Sequence, residues 1–133
     1  MTTTSRNEMQ LDIRVRYSET DAMGFAHHGN YAAWLEMGRT ELLRAQGGNY
    51  REMEESGLLF VVSKLNIHYI APARYDDLLT LTTRIKKIGM AKLEHEYELH
   101  RDGNLLTRAE SVLACVDRTG KVQRIPENIQ KSC

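Results

Sequence analysis

Residues 9–45 read MQLDIRVRYSETDAMGFAHHGNYAAWLEMGRTELLRA, and the hydrophobic period changes twice within them. From Met9 to Tyr17 the pattern alternates: Met9, Leu11, Ile13, Val15 and Tyr17 share one face, with Gln10, Asp12, Arg14 and Arg16 on the other. A period of two is that of a strand buried on one side. From Ser18 to Asn30 the alternation stops, and Gly24 and Gly29 stand among polar groups, so the stretch reads as a loop. From Tyr31 the period becomes helical: Tyr31, Trp34, Leu35, Gly38, Leu42 and Ala45 fall on one stripe. Asn30 is the expected N-cap and Gly47-Gly48 the stop. Ala32, Met37 and Leu43 lie off the stripe and predict a helix covered on more than one side.

Outward from this stretch the chain is mostly strand. Asn49 to Glu55 suits a short second helix closed by Gly57. Leu58 to Tyr69 is rich in β-branched and aromatic residues and runs into Ala71-Pro72-Ala73, where proline limits or bends a strand. Asp76-Asp77 marks a turn, and Leu79, Leu81, Thr83 and Ile85 alternate after it. Ala91, Leu93, His95, Tyr97 and Leu99 alternate with charged residues, Asp102-Gly103-Asn104 signals a hairpin, and Leu105 to Asp117 forms a last long strand before the turn at 118–121. One strand, one long helix and a meander of strands predict an α+β fold, an antiparallel sheet packed on one helix. The expectation is a single domain over residues 1–133. Strands such as 91–99 are expected to pair or stack with a second copy, most simply in a C2 dimer.

Composition narrows the function classes. Lysine plus arginine and aspartate plus glutamate both number 18, so the formal charge is zero, which argues against coating nucleic acid or an anionic membrane. No apolar run approaches the roughly 20 residues of a membrane span, and the polar stretch Met1 to Gln10 lacks the core of a signal peptide. The two cysteines, Cys115 and Cys133, make neither a disulfide framework nor a CxxC pair. A cytoplasmic protein with reduced thiols is expected, with Cys115 as a buried core residue between Leu113, Ala114 and Val116.

The loop carries the chemistry. Between Tyr17 and Tyr31 it places Glu19, Asp21, Gly24, His27 and His28 between the end of a strand and the start of a helix. A helix N-terminus presents unpaired N–H groups and partial positive charge, which can polarise a carbonyl or hold an oxyanion. A carboxylate beside it can attack that carbonyl or activate water against it. Gly24 permits close backbone approach or a positive φ. The residues alone therefore point to acyl transfer or hydrolysis. Elsewhere, Trp34 reads as helix core, Glu36 and Arg39 as a helix-face pair, and His68 and His95 as interior or interface residues.

The pattern Tyr-x-Glu-Thr-Asp-x-x-Gly-x-x-x-His-x-x-Tyr over residues 17–31, followed by Trp34, Glu36 and Arg39, resembles the 4-hydroxybenzoyl-CoA thioesterase-like family. Within it the likeness is greatest to the bacterial short acyl-CoA thioesterase branch associated with the Tol–Pal system. Ile67, Tyr69 and Ala71-Pro72-Ala73 also fit, so the resemblance spans nearly the whole chain. It implies a hotdog fold, in which a curled antiparallel sheet wraps a long helix. It also implies dimers joined edge to edge, usually assembled as tetramers, and hydrolysis of an acyl-CoA thioester without metal or redox cofactor. By position, the resemblance makes Asp21 the catalytic carboxylate, as nucleophile or general base, and the His28 N–H the group that polarises the thioester oxygen. The His28 side chain would orient substrate or water and Tyr31 would line the pocket. Glu19 stands where many relatives carry aspartate, and with Gly24 and His27 it is expected on the substrate-binding side. Ala26-His27 replaces the family's Val-Tyr or Val-Trp, implying an acyl pocket of different shape or polarity.

Two further readings remain. A binding module could hold acyl-CoA or a carrier-linked acyl group without turnover, whereas a metal hydrolase would use Glu19, Asp21, His27 and His28. Adjacent histidines diverge on most backbones and no HExxH spacing supports the metal. For the CoA phosphates, Arg74, Arg84, Lys86, Lys87, Lys92, Arg118 and Lys121 are candidates, and no phosphate-loop motif selects among them. Residues near Phe60 to Ser63 of a partner subunit are expected to line the acyl pocket.

Overall fold

The computed structural model describes residues 7–130. Five strands, β1 (Glu8–Arg14), β2 (Leu58–Tyr69), β3 (Leu78–Ile88), β4 (Lys92–Arg101) and β5 (Asn104–Asp117), form one antiparallel sheet in the order β1-β3-β4-β5-β2. Helix α1 (Gly29–Ala45) lies across one face, followed by α2 (Tyr50–Glu55), and the described chain ends in α3 (Glu127–Gln130). This is the hotdog arrangement of a sheet around a single long helix. No helix of the described residues is long and apolar enough to cross a membrane.

The alternation seen in the sequence sets which face meets the helix. Leu81 pairs with Leu99, Thr83 with Tyr97, and Leu93 with Leu113, and these buried side chains share the inner face. Under the first half of α1, Tyr31, Trp34 and Leu35 pack on Ile13, Val15, Leu81, Tyr97 and Leu99. Under the second half, Leu43 joins Met53, Leu93, Leu113 and Cys115, closed by Ile125 and Ile129 of the C-terminal segment. Cys115 is a buried core thiol; Cys133 lies outside the described residues. Gly38 stands where helix meets sheet: a methyl there would collide with Thr83 Oγ1 and lie 2.8 Å from Leu81 Cδ2, so glycine allows the close approach.

Several expectations are corrected. The first strand stops at Arg14; Tyr17–Glu19 forms a 3-10 turn and Tyr17 is 77% exposed, because the chain must turn there to reach α1. Asn30 does not cap α1. The helix begins at Gly29, and the Asn30 amide donates backwards to the carbonyls of Glu19 (2.7 Å) and His27 (3.2 Å). On the helix, Leu43 is buried and Ala45 exposed. Strand β4 has no free edge, being paired with β3 on one side and β5 on the other. The free edges belong to β1 and β2. Glu36 and Arg39 form no ion pair among the described residues; both line a cavity of about 420 Å³ with Tyr50, Leu58 and Phe60. The short helix α3 had no signal in the pattern read above.

Candidate active site

The loop holding Asp21 is closed by its own backbone. Asp21 N–H donates to the Phe25 carbonyl (2.8 Å) and Gly24 N–H to the Asp21 carbonyl (3.0 Å), with Gly24 at φ +82°. The Asp21 side chain joins in through one oxygen: Oδ1 accepts from the N–H groups of Met23 (2.9 Å) and Phe25 (3.2 Å). Its other oxygen, Oδ2, has no hydrogen-bond partner among the described residues. A carboxylate held this way has one oxygen fixed by the loop and one free to accept a further hydrogen bond.

The chain before β3 holds the loop from the far side. Ala26 N–H donates to the Ala73 carbonyl (2.8 Å) and Tyr75 N–H to the Gly24 carbonyl (3.3 Å), and the Arg74 guanidinium lies 4.9 Å over the Phe25 ring. The Ala71-Pro72-Ala73 segment, which the sequence marks only as a strand end, thus positions the loop.

At the start of α1 the amides are nearly all engaged. His27 N–H donates to the Glu19 carbonyl (2.8 Å), Asn30 N–H to the His27 carbonyl (3.0 Å), and Tyr31 N–H to the His28 carbonyl (3.2 Å). Gly29 N–H donates to Nδ1 of the His27 ring (3.0 Å). Only the His28 N–H in this run lacks an acceptor among the described residues. It stands at the positive end of a 17-residue helix. The His27 and His28 rings are exposed and lie 4.2 Å apart.

The remaining expected site residues turn inward. Tyr31 is 3% exposed and packs on Trp34 and Tyr69 at ring distances of 4.9 and 5.0 Å. Burial raises its phenol above the ordinary value, against a hydrogen bond to the Ala73 backbone. Glu19 is 7% exposed, and its carboxylate accepts from the indole N–H of Trp34 (2.9 Å), Arg16 N–H (2.8 Å) and the Arg16 guanidinium (3.3 Å). Burial would raise this carboxyl, but the Arg16 and Trp34 hydrogen bonds outweigh it and hold the pKa below the usual carboxylate range. The Glu19 carboxylate is therefore committed to Arg16 and Trp34, and no cluster of three or more metal-ligating side chains exists among the described residues. Trp34, read as plain core, is also a hydrogen-bond donor to the loop. Its partner lies 15 residues away, a spacing with no sequence signature.

Of the candidate phosphate cations, Arg84 is paired with Glu8 and Glu98, and Lys86 with Glu110. Arg74 alone among the seven stacks on the Asp21 loop.

The sequence pattern of the thioesterase superfamily matches residues 23–107, more than half the chain. The chain belongs to the thioesterase superfamily. Among this superfamily's proteins, the acyl-CoA thioesterase YbgC of Haemophilus influenzae is 36% identical over 120 residues, 90% of this chain and 88% of its own. The DHNA-CoA thioesterase of Staphylococcus aureus superposes with a TM-score of 0.90 at 29% identity, over 94% of this chain and 87% of that one. The 4-hydroxybenzoyl-CoA thioesterase of Pseudomonas sp. strain CBS-3, at 20% identity and a TM-score of 0.87, covers 96% of this chain and 99% of its own and shares the fold. The superfamily match begins two residues after Asp21, so the case for that carboxylate rests on the loop geometry and the motif around it.

Proposed function

We propose that this protein hydrolyses acyl-CoA thioesters to the free carboxylic acid and CoA, as a cytoplasmic enzyme. The observation that carries this is that one loop leaves two groups without a partner among the described residues, the Asp21 Oδ2 and the His28 N–H at the head of α1. The thioester carbonyl oxygen accepts from the His28 N–H, and the helix terminus stabilises the charge that develops on it. Asp21 acts on the carbonyl carbon, as nucleophile or as general base to a water. The C–S bond breaks and CoA leaves as the thiolate; water supplies the hydroxyl of the acid, by direct attack or by cleaving the anhydride formed on Asp21, and its proton converts the thiolate to the thiol. The relatives' names and the cover of nearly the whole chain support acyl-CoA as the substrate class.

The active form is a homo-oligomer. On one free edge of the sheet, β2 directs Val62, Leu65 and Tyr69 to the inner face, where among the described residues they remain largely exposed, Tyr69 meeting the Tyr31 ring of α1 on one side; Val62 is 48% and Tyr69 52% exposed. Antiparallel pairing of two β2 edges would bring the cavity beside Leu58 and Phe60 of one copy towards Tyr69 and Tyr31 of the other. The acyl pocket is shared between subunits on this reading.

The test is CoA release from a panel of short, long and aromatic acyl-CoAs, with Asp21→Asn beside the wild type. Turnover of one class, reduced about 100-fold or more in the variant with KM little changed, is expected. Binding without turnover in the wild type would make the protein an acyl-binding module or direct attention to carrier-linked substrates. Undiminished turnover in Asp21→Asn would displace Asp21 from the reaction.

A further inference from the structure

Glu19 touches both halves of the site without facing it. Its carboxylate reaches the second turn of α1 through the Trp34 indole N–H (2.9 Å) and fixes the 3-10 turn through Arg16 N–H (2.8 Å). Its main-chain carbonyl takes the His27 N–H (2.8 Å) and the Asn30 amide (2.7 Å) in the first turn. Two residues later comes Asp21. The Glu19 carbonyl also decides which amide is left open, because it engages His27 N–H and leaves His28 N–H to a ligand.

We propose that Glu19 is a positioning residue that holds the Asp21 turn and the His28 amide at a fixed separation. The inference rests on the hydrolase reading and gives Glu19 a role other than substrate contact. The side chain is buried, so substrate cannot reach it without opening the loop. Removing the carboxylate would leave the Trp34 N–H buried without an acceptor and free the 3-10 turn to drift. A displacement of about 1 Å between a nucleophile and an oxyanion donor can lower a rate about 100-fold, while the binding surface for the rest of the substrate is unchanged. The signature is loss in kcat rather than in KM.

The experiment compares the wild type, Glu19→Ala, Glu19→Gln and Trp34→Phe on the best acyl-CoA of the panel, with thermal melting alongside. Glu19→Ala should lose kcat by about 10- to 100-fold with KM within about threefold. Glu19→Gln keeps an acceptor for the indole and should regain all but about threefold of the loss. Should Glu19→Ala not fold, Trp34→Phe decides, with an expected fall in kcat of about three- to tenfold at unchanged KM. Unchanged kcat in Glu19→Ala, or in Trp34→Phe, overturns the proposal; so does a loss confined to KM, which would make Glu19 a substrate contact. A wild type that releases CoA from no acyl-CoA overturns the hydrolase reading and this proposal with it. An active wild type with an indifferent Glu19→Ala overturns this proposal alone.

Discussion

At Gly24 the backbone takes φ +82°, and a methyl group built there meets no atom within 4 Å. The cost of a side chain is therefore conformational, about 1 kcal/mol for alanine, and falls on the turn that aims Asp21. Gly24→Ala should lower kcat/KM and bring the melting temperature down by a few degrees, and Gly24→Asn, which tolerates the left-handed region better, should retain more of both. Equal, wild-type kinetics in both would show that the turn does not need this φ. Gly24 was legible as a position that permits a positive φ, whereas Asp21 was singled out by the resemblance, and the hydrogen bonds that its Oδ1 accepts within its own loop were not read from the sequence. The inward direction of Glu19 was not legible, since it depends on Trp34 arriving from across the loop. Asn30 misled for a related reason: its side chain finds the Glu19 carbonyl, and the helix starts two residues earlier than expected, at Gly29, with His27 engaging Gly29 N–H.

At the scale of elements, periodicity located the strands and α1, but it carries no information on strand order. The clean two-faced pattern of residues 91–99 suited an exposed strand as well as a central one, and the hydrogen-bond ladder put it in the centre. One of the two edges is β2, whose apolar run the sequence shows but whose lack of cover only the position of α1 reveals. Leu65 pairs with Ser111 on the inner face and is half-exposed there. A lysine at Leu65 in a buried subunit seam would carry an unpaired charge out of water, which costs several kcal/mol. Leu65→Lys should therefore sediment as a monomer where the wild type sediments as an oligomer, and should lose roughly tenfold or more in activity, because the pocket would be split. A fully active monomer would mean that each chain carries a complete site.

Across the whole molecule the core is two apolar clusters, and between them runs a belt of polar groups facing α1. Tyr97 and Ser111 share a hydrogen bond of 2.6 Å, while Thr83 Oγ1 and His95 Nδ1 are buried without partners among the described residues. His95 is 2% exposed, and burial, with the Arg39 charge adding to it, pushes its pKa down to about 3. In the unfolded chain the ring recovers its ordinary value near 6.5. Above that value His95 is neutral in both states and contributes no pH dependence. As pH falls below it, the unfolded state takes up a proton that the folded state refuses, so stability drops by up to about 1.4 kcal/mol per pH unit. The loss continues until the folded ring titrates near 3. The depressed carboxyl of Glu19 acts lower, since its contribution is lost only as pH falls below the ordinary carboxylate value. Between about pH 6.5 and 4.5, His95 should therefore dominate the acid sensitivity of the buried groups. Urea unfolding across that window should show a steep decline for the wild type and a flatter one for His95→Phe, whatever offset the new ring introduces at neutral pH. Parallel slopes for the two proteins would mean that water or a shifted Arg39 lets the buried imidazole take up its proton in the folded state.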